Sequence, residues 1–175
     1  NLYLGRPWTE IDTLQGLNTS IPLYKQLCET MPEVKAVNAM YQHGLTVVIA
    51  ADNRLGGYAK SVAMRVASTP HGIAYCKNII IVDGDVDPFD LNQVMWALST
   101  RVRPAKDVIV IPHMPGMPLD PASEPAGMSG KVIIDATTPV APEPVLREVR
   151  MVDPIAKSGH YKNVLEGLYG KRNSQ

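Results

Sequence analysis

The chain has 175 residues and a mass of 19.1 kDa, and 45% of its residues are hydrophobic while 19% are charged. These proportions are typical of one globular domain with its own core, and they exclude a disordered chain. Seventeen basic residues balance seventeen acidic residues. We therefore expect neither a nucleic-acid-binding surface nor a polybasic membrane-binding surface.

Cysteine usage and the length of the apolar runs bear on the compartment. Cys28 and Cys76 are too few for a disulfide framework or a zinc site, and both lie in apolar segments. We expect buried free thiols and hence a reducing compartment. No apolar run approaches the roughly 18 residues of a membrane-spanning helix, and no signal peptide opens the chain. The sequence therefore predicts a cytoplasmic protein. Because the chain begins with Asn1 inside an apolar phrase, we also expect it to be a piece of a longer protein.

The first third of the chain predicts two short helices followed by two strands. Thr9 to Asp12 resemble a capping box, and Gly16 is expected to end the first helix. The second helix is expected from Pro22 to Met31, since proline is accepted in a first turn. Residues 34–41 and 45–51 have the composition of two strands joined as in a hairpin.

The middle of the chain predicts alternating helices and strands. Helical spacing of apolar residues indicates a helix over 55–68, and a continuous β-branched run indicates a central strand over 78–82. Asp90 is expected to cap the next helix, and 107–112 form the next strand. The predicted buried stripe of that helix consists of Leu91, Val94, Met95, Leu98 and Val102. The order from 78 to 112 predicts a βαβ unit with parallel neighbouring strands.

A long stretch rich in proline, glycine and methionine, residues 113–130, follows this unit. Such a stretch inside a compact domain is usually functional or disordered. A short strand is expected over 131–135, and a final helix over 160–169. The predicted fold class is α/β, a layered mixed sheet with a βαβ unit. We expect a single domain over 1–175, with its core in 1–145 and a tail in 146–175.

Two features remain ambiguous from the residues alone. The acidic turn, residues 83–90, carries four aspartates, but Pro88 and the lack of a closing glutamate argue against an EF-hand. We favour a structural role, in which Asp90 caps a helix and a neighbouring aspartate pairs with Arg101 or Arg103. The 113–130 stretch either lines an apolar ligand site, for which methionine suits planar aromatic molecules, or packs only on itself.

The phrase from Asn78 to Arg101 closely resembles a signature of the UbiD family of non-oxidative decarboxylases. Three further phrases agree with that family in order and spacing: 4–8, 57–64 and 131–137. Within the family, Thr69–Gly72 and 135–142 are most similar to the large subunit of hydroxyarylic acid decarboxylases, which act on 4-hydroxybenzoate and vanillate. The resemblance implies a UbiD-like C-terminal domain.

The resemblance also implies a chemistry and its cofactor. Prenylated flavin mononucleotide (prFMN), made by a partner flavin prenyltransferase, would support reversible conversion of a hydroxybenzoate to a phenol and carbon dioxide. The family further implies a divalent metal in the full-length enzyme, with K⁺ as an optional second cation, and assembly into a homo-oligomer.

Site residues are carried over position by position. The family's catalytic and metal-binding residues lie upstream of the matched phrases, so we assign no catalytic residue and no metal ligand to this chain. His71 is expected near the cofactor phosphate and Tyr75 at the wall of the active site. Met117, Pro118 and Leu119 match the loop that covers the aromatic substrate in relatives.

Two alternatives stay open at this point. One is decarboxylation of a polyprenyl-4-hydroxybenzoate in ubiquinone synthesis, which requires a route for a long apolar tail. The other is a non-catalytic module for subunit assembly. Under the leading hypothesis, the isolated chain is inactive.

Overall fold

A computed structural model describes residues 10–41 and 44–144. Its helices and strands, numbered separately in chain order, are α1 (Glu10–Cys28), β1 (Val34–Tyr41), β2 (Thr46–Ala51), α2 (Tyr58–Ser68), α3 (Pro70–Ala74), β3 (Asn78–Asp83), α4 (Leu91–Arg101), α5 (Pro104–Asp107), β4 (Val108–Ile111) and β5 (Lys131–Ala136). None of the helices in these two ranges is long and apolar enough to span a bilayer. The predicted terminal helix over 160–169 lies outside the described residues.

The five strands form one mixed sheet in the order β1-β2-β3-β5-β4. The three inner strands are parallel to one another, while β1 and β4 run antiparallel to their neighbours at the two edges. The inner strands are continuous β-branched runs, which suits strands that are covered on both faces. The mixed α/β fold class is therefore confirmed.

Helices cover both faces of the sheet, so the domain has three layers. On one face α1 and α2 pack against alternate strand residues, including Val47, Ile49, Ile79, Ile81 and Ile133. On the other face α4 packs through Val94 and Ala97 against Val48, Ile80 and Val82. This alternation follows from the period of two in a strand, which sends successive side chains to opposite faces.

The strand order predicted from residues 78–112 is wrong. β3 and β4 are not neighbours, because β5 lies between them, parallel to β3 and antiparallel to β4. β4 has only four residues and leaves Val110 67% exposed, which suits an edge strand, whereas β5 is long enough to bury residues against both neighbours. The parallel βαβ unit is formed instead by β2, the helices α2 and α3, and β3.

The two short helices predicted before residue 31 are one helix, α1. The helix continues through Gly16, whose role is to let α1 approach β1 closely. A Cβ atom at this position would lie 2.7 Å from the Cα of Met40. Pro22 lies inside the helix, where it removes one backbone hydrogen bond. Burial of Leu23 and Leu27 in the core offsets that loss.

Two further helix predictions need correction. In α4, the predicted stripe residues Leu91 and Met95 are about half exposed, and the buried residues are Val94, Ala97 and Arg101. In the segment after β2, α2 begins only at Tyr58, and the short helix α3 was not predicted. The left-handed conformation of Gly57, with a φ of 81°, keeps the residues before Tyr58 out of α2. In α4, contact with the sheet buries the face that carries Val94 and Ala97.

Candidate functional site

The predicted site residues gather at one edge of the sheet, where the parallel strands β3 and β5 begin. Asn78 of β3 is paired with Val132 of β5, so their starts are adjacent. The α3–β3 turn, residues 72–77, leads into β3 at this edge. The loop over residues 113–130, named the substrate loop after its predicted role, leads from β4 into β5. We call the region where these two segments come together the site edge.

Local sequence explains the sharp geometry of α3. The hydroxyl oxygen of Thr69 accepts a hydrogen bond from the backbone N–H of Gly72 at 3.0 Å, and Pro70 occupies the first turn. Gly72 has no room for a side chain, because a Cβ atom would lie 1.7 Å from the carbonyl oxygen of Val66. The phrase Thr69–Gly72 is therefore a tightly specified turn that places His71 on α3.

Lys131 anchors the end of α3 from the first residue of β5. Its Nζ donates hydrogen bonds to the carbonyl oxygens of Gly72 at 2.8 Å, Ile73 at 3.2 Å and Cys76 at 2.8 Å. The side chain is fully buried, and burial lowers the pKa of its amine. The carbonyl oxygen of Gly72 also accepts from the backbone N–H of Cys76 at 3.2 Å, so Lys131 adds a charged donor to a group that is already paired. Sequence reasoning missed Lys131, although a lysine that opens an apolar strand was an available signal.

His71 and Tyr75 both lie at the site edge, His71 on α3 and Tyr75 directly after it. Each is half-buried, and the backbone N–H of Tyr75 donates to the carbonyl oxygen of His71 at 2.8 Å. The Nδ1 atom of His71 is buried and has no hydrogen-bond partner among the described residues. This nitrogen therefore has hydrogen-bonding capacity for a group from outside the described part of the chain.

An ion pair joins the α3–β3 turn to the substrate loop. Lys77 Nζ lies 2.6 Å from Asp120 Oδ2, and the side chain of Asp120 is only 5% exposed. The second oxygen of Asp120 accepts a hydrogen bond from the backbone N–H of Ala122 at 3.0 Å. Sequence reasoning missed both members, because their spacing of 43 residues becomes a contact only in the folded chain.

The substrate loop is held by its own backbone. Pro115 and Met128 form an antiparallel bridge, and the hydroxyl of Ser123 donates to the carbonyl oxygen of Met117 at 3.2 Å. Within this frame Met117 is half-buried, whereas Pro118 and Leu119 are exposed. The loop thus has an ordered base and an apolar tip that faces outward.

A cavity of about 340 Å³ lies beside the site edge, under the substrate loop. It is bounded by β4, the start of β5 and the loop, with lining residues that include Lys77, Val110, His113, Glu124 and Met128. None of the five predicted site residues lines it. The predicted residues therefore share one edge of the sheet without enclosing a pocket by themselves.

The acidic turn lies at the opposite edge of the sheet and has the predicted structural role. Arg101 is buried, and its guanidinium donates to Asp83 at 2.8 Å and to both oxygens of Asp85 at 2.9 and 2.7 Å. Asp90 caps α4 by accepting from the backbone N–H groups of Asn92 and Gln93. Across residues 10–41 and 44–144, no group of three or more histidine, cysteine or acidic side chains is arranged to hold a metal ion.

The cysteines are free, but only one matches the expected burial. Cys76 is fully buried, and burial raises the pKa of its thiol to about 12. A thiol with that pKa stays protonated at neutral pH, so Cys76 is no nucleophile despite its place in the α3–β3 turn. Cys28 is half-buried rather than buried, because it lies at the end of α1.

Comparison with known proteins identifies the domain. Residues 12–136 match the model of the 3-octaprenyl-4-hydroxybenzoate carboxy-lyase C-terminal domain. The phenolic acid decarboxylase of Sedimentibacter hydroxybenzoicus is 61% identical over 99% of this chain, and that of Bacillus subtilis is 58% identical over 82%. The chain spans only 36% and 30% of the lengths of these two relatives.

Solved structures show the same fold. The vanillic acid decarboxylase of S. hydroxybenzoicus in its closed form matches 95% of this chain with a TM-score of 0.81, and the match covers 35% of that enzyme's chain. The UbiD-class enzyme HmfF from Pelotomaculum thermopropionicum, in complex with FMN, matches 81% of this chain at 28% identity with a TM-score of 0.69, over 32% of its own chain. On the family match and these identities, the chain belongs to the UbiD family and forms its C-terminal domain.

Proposed function

We propose that the protein to which this chain belongs is a prFMN-dependent decarboxylase of phenolic acids, and that this domain closes its cofactor and substrate site. The observation that carries the proposal is the 61% identity to a phenolic acid decarboxylase over 99% of the chain. The matched region includes both segments of the site edge, the α3–β3 turn and the substrate loop.

The residues present fit a flavin phosphate. His71 has a nitrogen without a hydrogen-bond partner in the described part of the chain, and a phosphate oxygen is a suitable partner for an imidazole N–H. A UbiD-class relative of the same fold is in complex with FMN. When bound, prFMN would supply the electron sink that loss of carbon dioxide from an aromatic ring requires. The role of His71 in this chain would be to bind the phosphate.

The substrate loop and Tyr75 would form the wall for the aromatic ring. Met117, Pro118 and Leu119 offer an apolar surface with a polarizable sulfur, which suits a planar phenolic ring. No described residue at the site edge is assigned to proton transfer, since Cys76 stays protonated and Lys131 is fully engaged with carbonyl oxygens. The groups that handle protons, the divalent metal and K⁺ would then belong to the upstream part of the enzyme.

The proposal includes partners and a compartment. The cofactor would come from a flavin prenyltransferase, and the enzyme would work in the cytoplasm as a homo-oligomer. These points rest on the family resemblance rather than on any contact in this domain.

The test compares the full-length protein with the isolated chain, each supplied with prFMN. We expect the full-length protein to release phenol from 4-hydroxybenzoate or the corresponding phenol from vanillate, as measured by chromatography. The isolated chain should release none, because the proton-transfer groups lie upstream. The full-length protein without prFMN is the control.

Other outcomes would contradict parts of this proposal. Turnover by the isolated chain would show that the catalytic groups lie in these residues. A full-length protein that acts on no phenolic acid would refute the proposed activity. A preference for a polyprenyl-4-hydroxybenzoate in the same substrate panel would favour ubiquinone synthesis.

A further inference from the structure

We propose that Lys77 and Asp120 are a positioning pair that sets the place of the substrate loop over the aromatic ring, and so governs which phenolic acids are accepted. The inference rests on the proposed function. Neither residue would touch the reacting atoms, and both would act through the residues beside them.

The pair connects the two segments that would contact the substrate. Asp120 directly follows Leu119, and its backbone N–H donates to the carbonyl oxygen of Met117 at 3.0 Å. Lys77 lies two residues after Tyr75, and its carbonyl oxygen accepts from the N–H of Val132 at 2.9 Å, which fixes it to β5. The 2.6 Å contact between the side chains therefore links the loop tip to a rigid part of the sheet.

Burial separates this contact from an ordinary surface ion pair. The Asp120 side chain is 5% exposed and both of its oxygens are hydrogen-bonded, so the carboxylate has one well-defined position. By contrast, Lys35 and Asp52 lie 2.9 Å apart but are 56% and 58% exposed. Exposed pairs contribute little, whereas removing one partner of a buried pair leaves an uncompensated charge. Lys35 and Asp52 are thus a matched control within the same chain.

A second lysine holds the carboxyl end of the loop in place independently of the Lys77–Asp120 pair. Lys131, the first residue after the loop, is fixed to the α3–β3 turn through three carbonyl oxygens. Loss of the Lys77–Asp120 contact would therefore free the tip of the loop while its carboxyl end stays in place. Misplacement of substrate-contacting groups by about 1 Å can lower a rate by about a hundredfold.

The experiment uses the full-length enzyme loaded with prFMN and the variants Asp120→Asn, Lys77→Met and their combination. Asp120→Asn retains an oxygen for the N–H of Ala122 and removes only the charge. We expect kcat/KM for 4-hydroxybenzoate and vanillate to fall about ten- to a hundredfold, mainly through KM, and the ratio between the two acids to change. The kcat/KM of the double variant should be no lower than that of the less active single variant, because the two side chains act as a unit.

Independent measurements distinguish positioning from folding. Flavin content per protomer and the flavin absorption spectrum should stay near wild type in all variants. The Tm should stay near wild type in Asp120→Asn and in the double variant, because neither leaves a buried carboxylate unpaired, while amide hydrogen exchange in residues 113–130 becomes faster. Lys77→Arg retains the charge and should keep most of the activity. The control variants Lys35→Met and Asp52→Asn should leave KM and the substrate ratio unchanged.

Three results would overturn the inference. Unchanged KM and substrate ratio in Asp120→Asn would do so, as would losses that only follow a lower Tm or flavin content. Independent, additive effects of the two single variants would show that the side chains do not act together. A wild-type enzyme inactive on all phenolic acids would refute the proposed function, and with it this role, whereas an active wild type with unaffected variants refutes the positioning pair alone.

Discussion

A buried lysine with three backbone acceptors lies at the site edge. The amine of Lys131 donates to three carbonyl oxygens at and just after the end of α3, so one side chain from β5 serves several acceptors at once. A cation also interacts favourably with the partial negative charge at that end of a helix. The position of His71 on α3 thus depends on a residue that lies 60 positions away in the sequence.

Replacement of Lys131 by methionine should destabilise the domain by about 3 kcal/mol, since it removes all three hydrogen bonds that the buried amine donates to carbonyl oxygens. The free energy of unfolding would be measured by urea denaturation at pH 7. Lys106→Met on the exposed surface is the control, with an expected change within about 0.5 kcal/mol. Equal stability of Lys131→Met and wild type would contradict the anchoring role.

The difference in unfolding free energy between the wild type and Lys131→Met should depend on pH. Because burial lowers the pKa of Lys131, the folded chain loses this proton at a lower pH than the unfolded chain does. The unfolded state therefore binds more protons in the window between the lowered pKa and the ordinary lysine value, and the stability of the wild type rises with pH there. The Lys131→Met variant lacks this term, so its deficit should be larger near pH 10 than at pH 7.

At the scale of elements, the junction between α2 and α3 depends on the absence of a side chain. The carbonyl oxygen of Val66, which closes the last turn of α2, occupies the place where a Cβ atom of residue 72 would lie. The oxygen belongs to backbone, so it cannot move as the end of a flexible side chain can. The glycine of the phrase Thr69–Gly72 is thus required by packing.

Gly72→Ala should therefore cost at least about 2 kcal/mol and displace α3, which carries His71. Gly57→Ala is a matched control: a Cβ atom there would meet nothing within 4 Å, and only its φ of 81° makes alanine unfavourable, at a cost of about 1 kcal/mol. Thermal unfolding of both variants would test the comparison. A smaller loss for Gly72→Ala than for Gly57→Ala would refute the steric argument.

Strand order shows the limit of local patterns at this scale. The apolar runs 78–82, 107–112 and 131–135 are all strands, as expected, within one or two residues. Their composition does not reveal that the last of them inserts between the other two. That choice depends on pairing such as Ile109 with Ile133, which a long loop must first bring together.

At the scale of the molecule, two apolar clusters on opposite faces of one sheet give the described residues a core of their own. We expect the isolated chain to fold alone and to unfold in one cooperative step. Far-UV circular dichroism and tryptophan fluorescence in urea should give coincident curves. The control Ile81→Ala, at a fully buried position, should lower the unfolding free energy by about 2 to 5 kcal/mol. Curves that do not coincide would show that the core needs the upstream part of the enzyme.

The sequence by itself determined the fold class, the five strands, the cap at Asp90, the pairing of the acidic turn with one of two arginines, Arg101 or Arg103, and the family. These features depend on local periodicity, on hydrogen bonds between near neighbours, or on ordered phrases that the family shares. The tertiary structure decided the strand order, the continuity of α1, and the roles of Lys131, Lys77 and Asp120. Those depend on contacts between residues far apart in the sequence, such as Ile109 with Ile133, Lys77 with Asp120 and Lys131 with Gly72. Such a contact exists only after the sheet has brought the starts of β3 and β5 to one edge.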